Sequence, residues 1–117
     1  MNKITEQDFF DSFEFLHQGN SPSDYMFFGL EIGKGWFPLF WELCSELKKV
    51  NYRGRIVQVK EKFGRLTVYT NDYEENIDEI ISKYENKSLT ICERCGKEGK
   101  VRNNGWIKVL CDECEGK

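Results

Sequence analysis

Apolar residues recur at spacings of three and four in three stretches of the chain, and cluster with β-branched residues in two others. In TEQDFFDSFEFLHQG, Phe9, Phe10, Phe13 and Leu16, with Ile4 ahead of them, predict a helix over Thr5 to Gln18 that buries one face. Thr5 with Asp8 three residues on is a helix-starting cap, and Gly19 is a plausible stop. In WFPLFWELCSELKKV, Leu39, Phe40, Leu43, Cys44, Leu47 and Val50 form the stripe of a second helix. Pro38 stands in its first turn, where a missing N–H costs nothing, and Lys48 and Lys49 stand in its last. In NDYEENIDEIISKYENK a third helix has Asn71 or Asp72 as its cap and Tyr73, Ile77, Ile80, Ile81 and Tyr84 on one face.

The strand-like stretches are hairpins. QVKEKFGRLTVY joins Ile56, Val57 and Val59 to Leu66, Val68 and Tyr69 through Phe63-Gly64, where glycine supplies the positive φ of a tight turn. Further on, Val101 and Ile107 to Leu110 flank Asn103-Asn104-Gly105. Between the first two helices, Gly19 to Trp36 reads as an aromatic-rich loop in which YMFF is the only strand candidate. The expected fold class is α+β, a small helical core with a β-hairpin followed by a C-terminal zinc ribbon. The expected division is a core domain over 1–88 and a ribbon over 89–117.

The ribbon rests on cysteine spacing. Cys92 and Cys95 form one CxxC, Cys111 and Cys114 a second, and fifteen residues separate them, the pattern of a four-thiolate zinc site. Four sulfurs leave no position open for water, so the one zinc expected is structural. A segment this short cannot build a sufficient core, so the metal is expected to hold it folded. Cys44, alone on the second helix, reads as a small buried hydrophobe.

Charge adds a second candidate site. The net charge of −3 hides blocks of −6 over residues 1–47, +6 over 48–69, −5 over 70–86 and +2 over 87–117. The basic block centres on the first hairpin, where Lys60, Lys62 and Arg65 surround Phe63. Cations beside a stackable ring suit the phosphates and bases of a nucleotide or a single-stranded nucleic acid. The alternative is that the hairpin only balances the acidic third helix beside it in sequence. The ribbon itself has too small a basic excess to read duplex DNA.

Catalytic signatures are missing from the sequence. His17 is the single histidine, and there is no Walker loop, GxSxG elbow or HExxH pair. Gly33-Lys34-Gly35-Trp36 has residue types suited to phosphate but no motif around them. No enzymatic activity is expected. With no stretch long and apolar enough to span a bilayer, and an N-terminus unlike a secretion signal, a cytoplasmic protein without membrane contact is expected.

GWFPLFWELC, VQVKEKFGRLTVY and CERCGKEGKVRNNGWIKVLCDEC, in that order, resemble a family of small uncharacterised bacterial and phage proteins. The resemblance covers roughly residues 33–114 and implies no established activity. The setting it implies is one in which small proteins act by binding, blocking a host protein or sequestering a signalling molecule in the host cytoplasm. The functional expectation is therefore a non-enzymatic zinc-containing binding protein, an inhibitor of a host defence system. Its expected partner is a host protein or a small anionic nucleotide. The alternative is nucleic-acid or nucleotide binding by the basic hairpin over 55–69.

Overall fold

The computed structural model describes residues 4–17, 29–103 and 105–116. Helix α1 spans Glu6–Ser12, shorter than its periodicity predicts. Thr5 caps it reciprocally with Asp8: the Thr5 hydroxyl accepts from the Asp8 N–H, and the Asp8 carboxylate accepts from the Thr5 N–H. The helix ends because Phe13 turns extended, at φ −127° and ψ 106°, before a 3-10 turn over Glu14–Leu16. A continued helix would carry Phe15 away from the face shared by Phe9, Phe13 and Leu16. The break instead buries it, stacked on Phe13 and tilted against Tyr52. The predicted stop at Gly19 and the YMFF strand lie outside the described residues.

Strand β1 is only Leu30–Glu31, and a 3-10 turn over Lys34–Trp36 leads into α2, Phe37–Lys49. Pro38 sits at the start of α2, and Phe37, Leu39, Phe40, Leu43, Cys44 and Leu47 are buried. Val50 is not part of that face: it lies past the last helical turn and is 48% exposed. Strands β2, Ile56–Lys62, and β3, Arg65–Thr70, form the predicted hairpin, with Phe63 at φ 52° and Gly64 at φ 82° in the turn. β1 adds in parallel to β2, giving a three-stranded sheet in the order β1-β2-β3. Leu30, Val59 and Val68 lie in register across it, so one row of apolar side chains faces the core.

Helix α3, Glu75–Lys87, starts later than predicted. Neither Asn71 nor Asp72 caps it, because both close the preceding loop instead: Asn71 Oδ1 accepts from the Arg55 N–H, and Asp72 Oδ1 from the Tyr52 hydroxyl. Tyr73 therefore precedes the helix and is 75% exposed, while Ile77, Ile81 and Tyr84 are buried. Helices also close both edges of the sheet. Glu6 accepts from the Leu30 N–H on the β1 edge, and Glu85 and Ser88 accept from Val68 and Leu66 on the β3 edge.

The cysteine-bearing segment holds β4, Lys100–Asn103, antiparallel to β5, Ile107–Leu110, and a single helical turn α4, Asp112–Glu115. It packs directly on the rest of the protein, with Val109 fully buried in the same apolar cluster as Trp36, Phe40 and Leu66.

Candidate metal centre

Each CxxC reaches the centre by a different local fold. The first is a tight loop in which the Cys92 N–H donates to Lys97 O at 2.7 Å and the Gly96 N–H to Cys92 O at 2.9 Å. Gly96 takes φ 86°, a left-handed conformation that suits glycine. The second is not a matching loop but a helix start: Cys111 is the N-cap of α4, and its sulfur accepts from the Cys114 N–H at 3.4 Å. This arrangement aims a backbone donor at a thiolate. Capping chemistry usually served by Ser or Asp is performed here by sulfur.

All four sulfurs lie within 4.8 Å of one another, and those of Cys95 and Cys111 are 3.5 Å apart. Sulfurs bound at about 2.3 Å around one tetrahedral ion sit about 3.8 Å apart, so the set has the size and donor type of a metal site. Cys92, Cys111 and Cys114 are buried and Cys95 is exposed. Burial opposes ionisation of Cys92, yet backbone N–H groups of Cys111, Cys95 and Arg94 hold its thiol down at about 6. Cys111 is also lowered, chiefly by the Cys114 N–H. Burial and the neighbouring thiols push Cys114 up to about 12. A bare cluster thus favours thiolate at some positions and resists it at others. A cation that draws on all four sulfurs resolves the conflict.

The surroundings are cross-braced. Arg94 donates to Cys114 O, joining the two halves of the centre. Arg102 donates to Leu110 O and pairs with Asp112 at 2.7 Å and Glu115 at 3.0 Å. Lys108 lies 3.6 Å from Glu61 of the hairpin and 3.8 Å from the nearly buried Glu93. Burial raises the Glu93 carboxyl above its usual value, against the Gly33 N–H and Lys108, which both lower it.

The structure also gives Gly33-Lys34-Gly35-Trp36 a role that sequence reading did not assign. The Gly35 N–H donates to Glu93 O at 2.8 Å, the Gly33 N–H to the Glu93 carboxylate at 2.9 Å, and the Trp36 indole to Ile91 O at 2.8 Å. A Cβ on Gly35 would collide with the Cys92 carbonyl and lie 2.6 Å from both Glu93 O and Gly96 N. These residues are the seat of the first metal loop. The signal available in the sequence was the pair of glycines ahead of a tryptophan, the mark of a close backbone approach.

The predicted ligand residues Lys60, Lys62 and Arg65 share one face of the hairpin, with Phe63 at its turn. Lys62 and Arg65 are cross-strand partners, and Lys60 lies between Glu31 and Thr67 on the same face. Arg65 is occupied by α3, 3.0 Å from Asn86 Oδ1 and 3.6 Å from Glu85. Phe63 is 74% exposed at the turn. The turn also touches the second hairpin, since a Cβ on Gly64 would lie 3.0 Å from Ile107 Cγ2. Trp106, the residue before Ile107, is 71% exposed.

Fold and centre define a small α+β protein with a four-cysteine metal site seated on its core. Comparison with family models, with curated proteins and with solved structures finds no match to the chain. Among the described residues, no helix is long and apolar enough to cross a membrane.

Proposed function

We propose that this is a non-enzymatic binding protein braced by one structural zinc ion, belonging with the small bacterial and phage proteins whose motifs it resembles. On this reading it acts in the host cytoplasm by occupying a host protein. The ion is zinc because four thiolates in a closed tetrahedral set suit it and leave no open position for chemistry.

The observation that carries the binding role is the placement of Phe63 and Trp106. Two large aromatic side chains stand exposed, Phe63 at the turn of the first hairpin, where Gly64 lies against Ile107, and Trp106 immediately before Ile107 in the chain. Trp and Phe are residue types that anchor protein interfaces.

The test is affinity capture with the intact chain and with F63A/W106A, both checked for metal content and thermal stability. The proposal expects a host protein to be retained by the intact chain and lost by the variant with the fold unchanged. Turnover of a nucleotide or peptide by the purified protein, abolished by a single change outside the four cysteines, contradicts it.

A further inference from the structure

The +6 block read from the sequence is divided by the fold into parts that do different things. Lys60, Lys62 and Arg65 lie on the sheet face, where Arg65 also pairs with α3, and three of the four remaining cations gather elsewhere. A cleft of about 550 Å³ opens where the 3-10 turn after α1 meets the loop between α2 and β2, and Lys48, Arg53 and Arg55 line it. Among the described residues Glu14 is the one acidic residue in its lining, and the aromatic residues there include Phe15 and Tyr52.

Two of the three cations are held in place before any ligand arrives. Lys48 Nζ donates to Ser12 O at 3.3 Å and stands 5.8 Å over the Phe13 ring. Arg55 is fixed at both ends, its guanidinium donating to Gly54 O at 3.0 Å and its backbone N–H to Asn71 Oδ1 at 2.9 Å. None of the three cations lies within ion-pair distance of a carboxylate among the described residues. By contrast Lys83, Lys97, Arg102 and Lys108 are each paired.

The end of α2 does not work against an anion here. The N–H groups of Val50, Asn51 and Tyr52 already take the carbonyls of Glu46, Lys48 and Leu47. Asn51, at φ 59°, is the left-handed residue that reverses the chain at this point. The cleft therefore presents cations rather than the bare carbonyls of Glu46, Leu47 and Lys48.

We infer that this cleft binds a small phosphorylated ligand of nucleotide size, with Lys48, Arg53 and Arg55 taking its phosphates and the Phe15–Tyr52 side taking its apolar part. The volume is that of a site for a small organic ligand. Charge-assisted contacts from two guanidiniums and an ammonium are the chemistry that grips a diphosphate. This deepens the binding-protein reading by adding a second, small-molecule site, and it moves nucleotide recognition away from the Lys60–Lys62–Phe63 turn.

The experiment is calorimetric titration of the full chain with ADP and with adenosine at low salt, repeated on R53A/R55A and on K60E/K62E. Metal content and thermal unfolding are checked for every variant. The expected result is that ADP binds and adenosine does not, that R53A/R55A weakens ADP about ten-fold or more, and that K60E/K62E leaves it unchanged. Failure of ADP to bind, equal binding by R53A/R55A, or equal binding of adenosine overturns the cleft. Loss of binding in K60E/K62E alone also overturns it and returns the ligand to the hairpin. None of these outcomes touches capture of a protein through Phe63 and Trp106, which succeeds or fails separately.

Discussion

Gly35 shows how a single missing side chain is tied to the metal centre. With Cys92 O, Glu93 O and Gly96 N all crowding the place a Cβ would take, and all of them backbone atoms, nothing flexible is there to give way. G35A should destabilise the protein by about 1–3 kcal/mol, the range of an overpacked core, and should loosen metal binding with it. Gly105 is the comparison: at φ 87° it carries a left-handed backbone, but nothing lies within 4 Å of its would-be Cβ. G105A should cost only the backbone strain, about 1 kcal/mol, and leave metal affinity unchanged. Denaturant unfolding and a metal-competition titration of both variants separate the two cases. Equal effects on metal affinity would remove Gly35 from the seat of the centre.

Elements were legible where their pattern was local and periodic. The helix from Phe37, the hairpin and its Phe63-Gly64 turn, and the burial of Cys44 all follow from apolar spacing, a well-placed proline and a glycine at positive φ. The rest depended on distant partners. β1 is two residues long and exists as a strand through pairing with Val59 and Lys60, and α1 stops early because Phe15 finds the core only if the helix breaks. Likewise Asn71 and Asp72 look like caps but are used by Arg55 and Tyr52 across the loop.

Edge protection of β3 by α3 has a pH signature. Burial raises the Glu85 carboxyl above its usual value, while the Val68 N–H and Arg65 pull the other way. The folded chain then holds a proton that the unfolded chain has released. This contribution to stability therefore grows as pH falls from the raised folded value toward the unfolded one, and is lost as pH rises through the folded value. E85Q should flatten that part of the stability profile, in the pH range just above the usual carboxylate value. An unchanged slope in chemical unfolding at several pH values would show that Glu85 is not its source.

At the scale of the whole molecule, the four cysteines were the most legible feature, because metal-ligand spacing is written in the sequence itself. What spacing does not show is where the centre sits. Trp36, fully buried, donates to Ile91 O, Gly35 donates to Glu93 O, and Val109 of the second hairpin enters the main apolar cluster. The charge pattern was legible as blocks but not as sites, since the basic block divides between the sheet face and the cleft.

Because the centre and the core share these contacts, metal removal should be felt well beyond the cysteines. The most direct measurement is metal analysis of protein purified without added metal, followed by thermal unfolding with and without a strong chelator and monitored by tryptophan fluorescence. The account predicts one zinc ion per chain. It also predicts a chelator-induced fall in Tm, with a change in the emission of the buried indole as the seat over Gly35 and Trp36 is disturbed. Protein that carries no metal, has Cys92 joined to Cys95 in a disulfide, and unfolds at the same temperature with chelator present would contradict it.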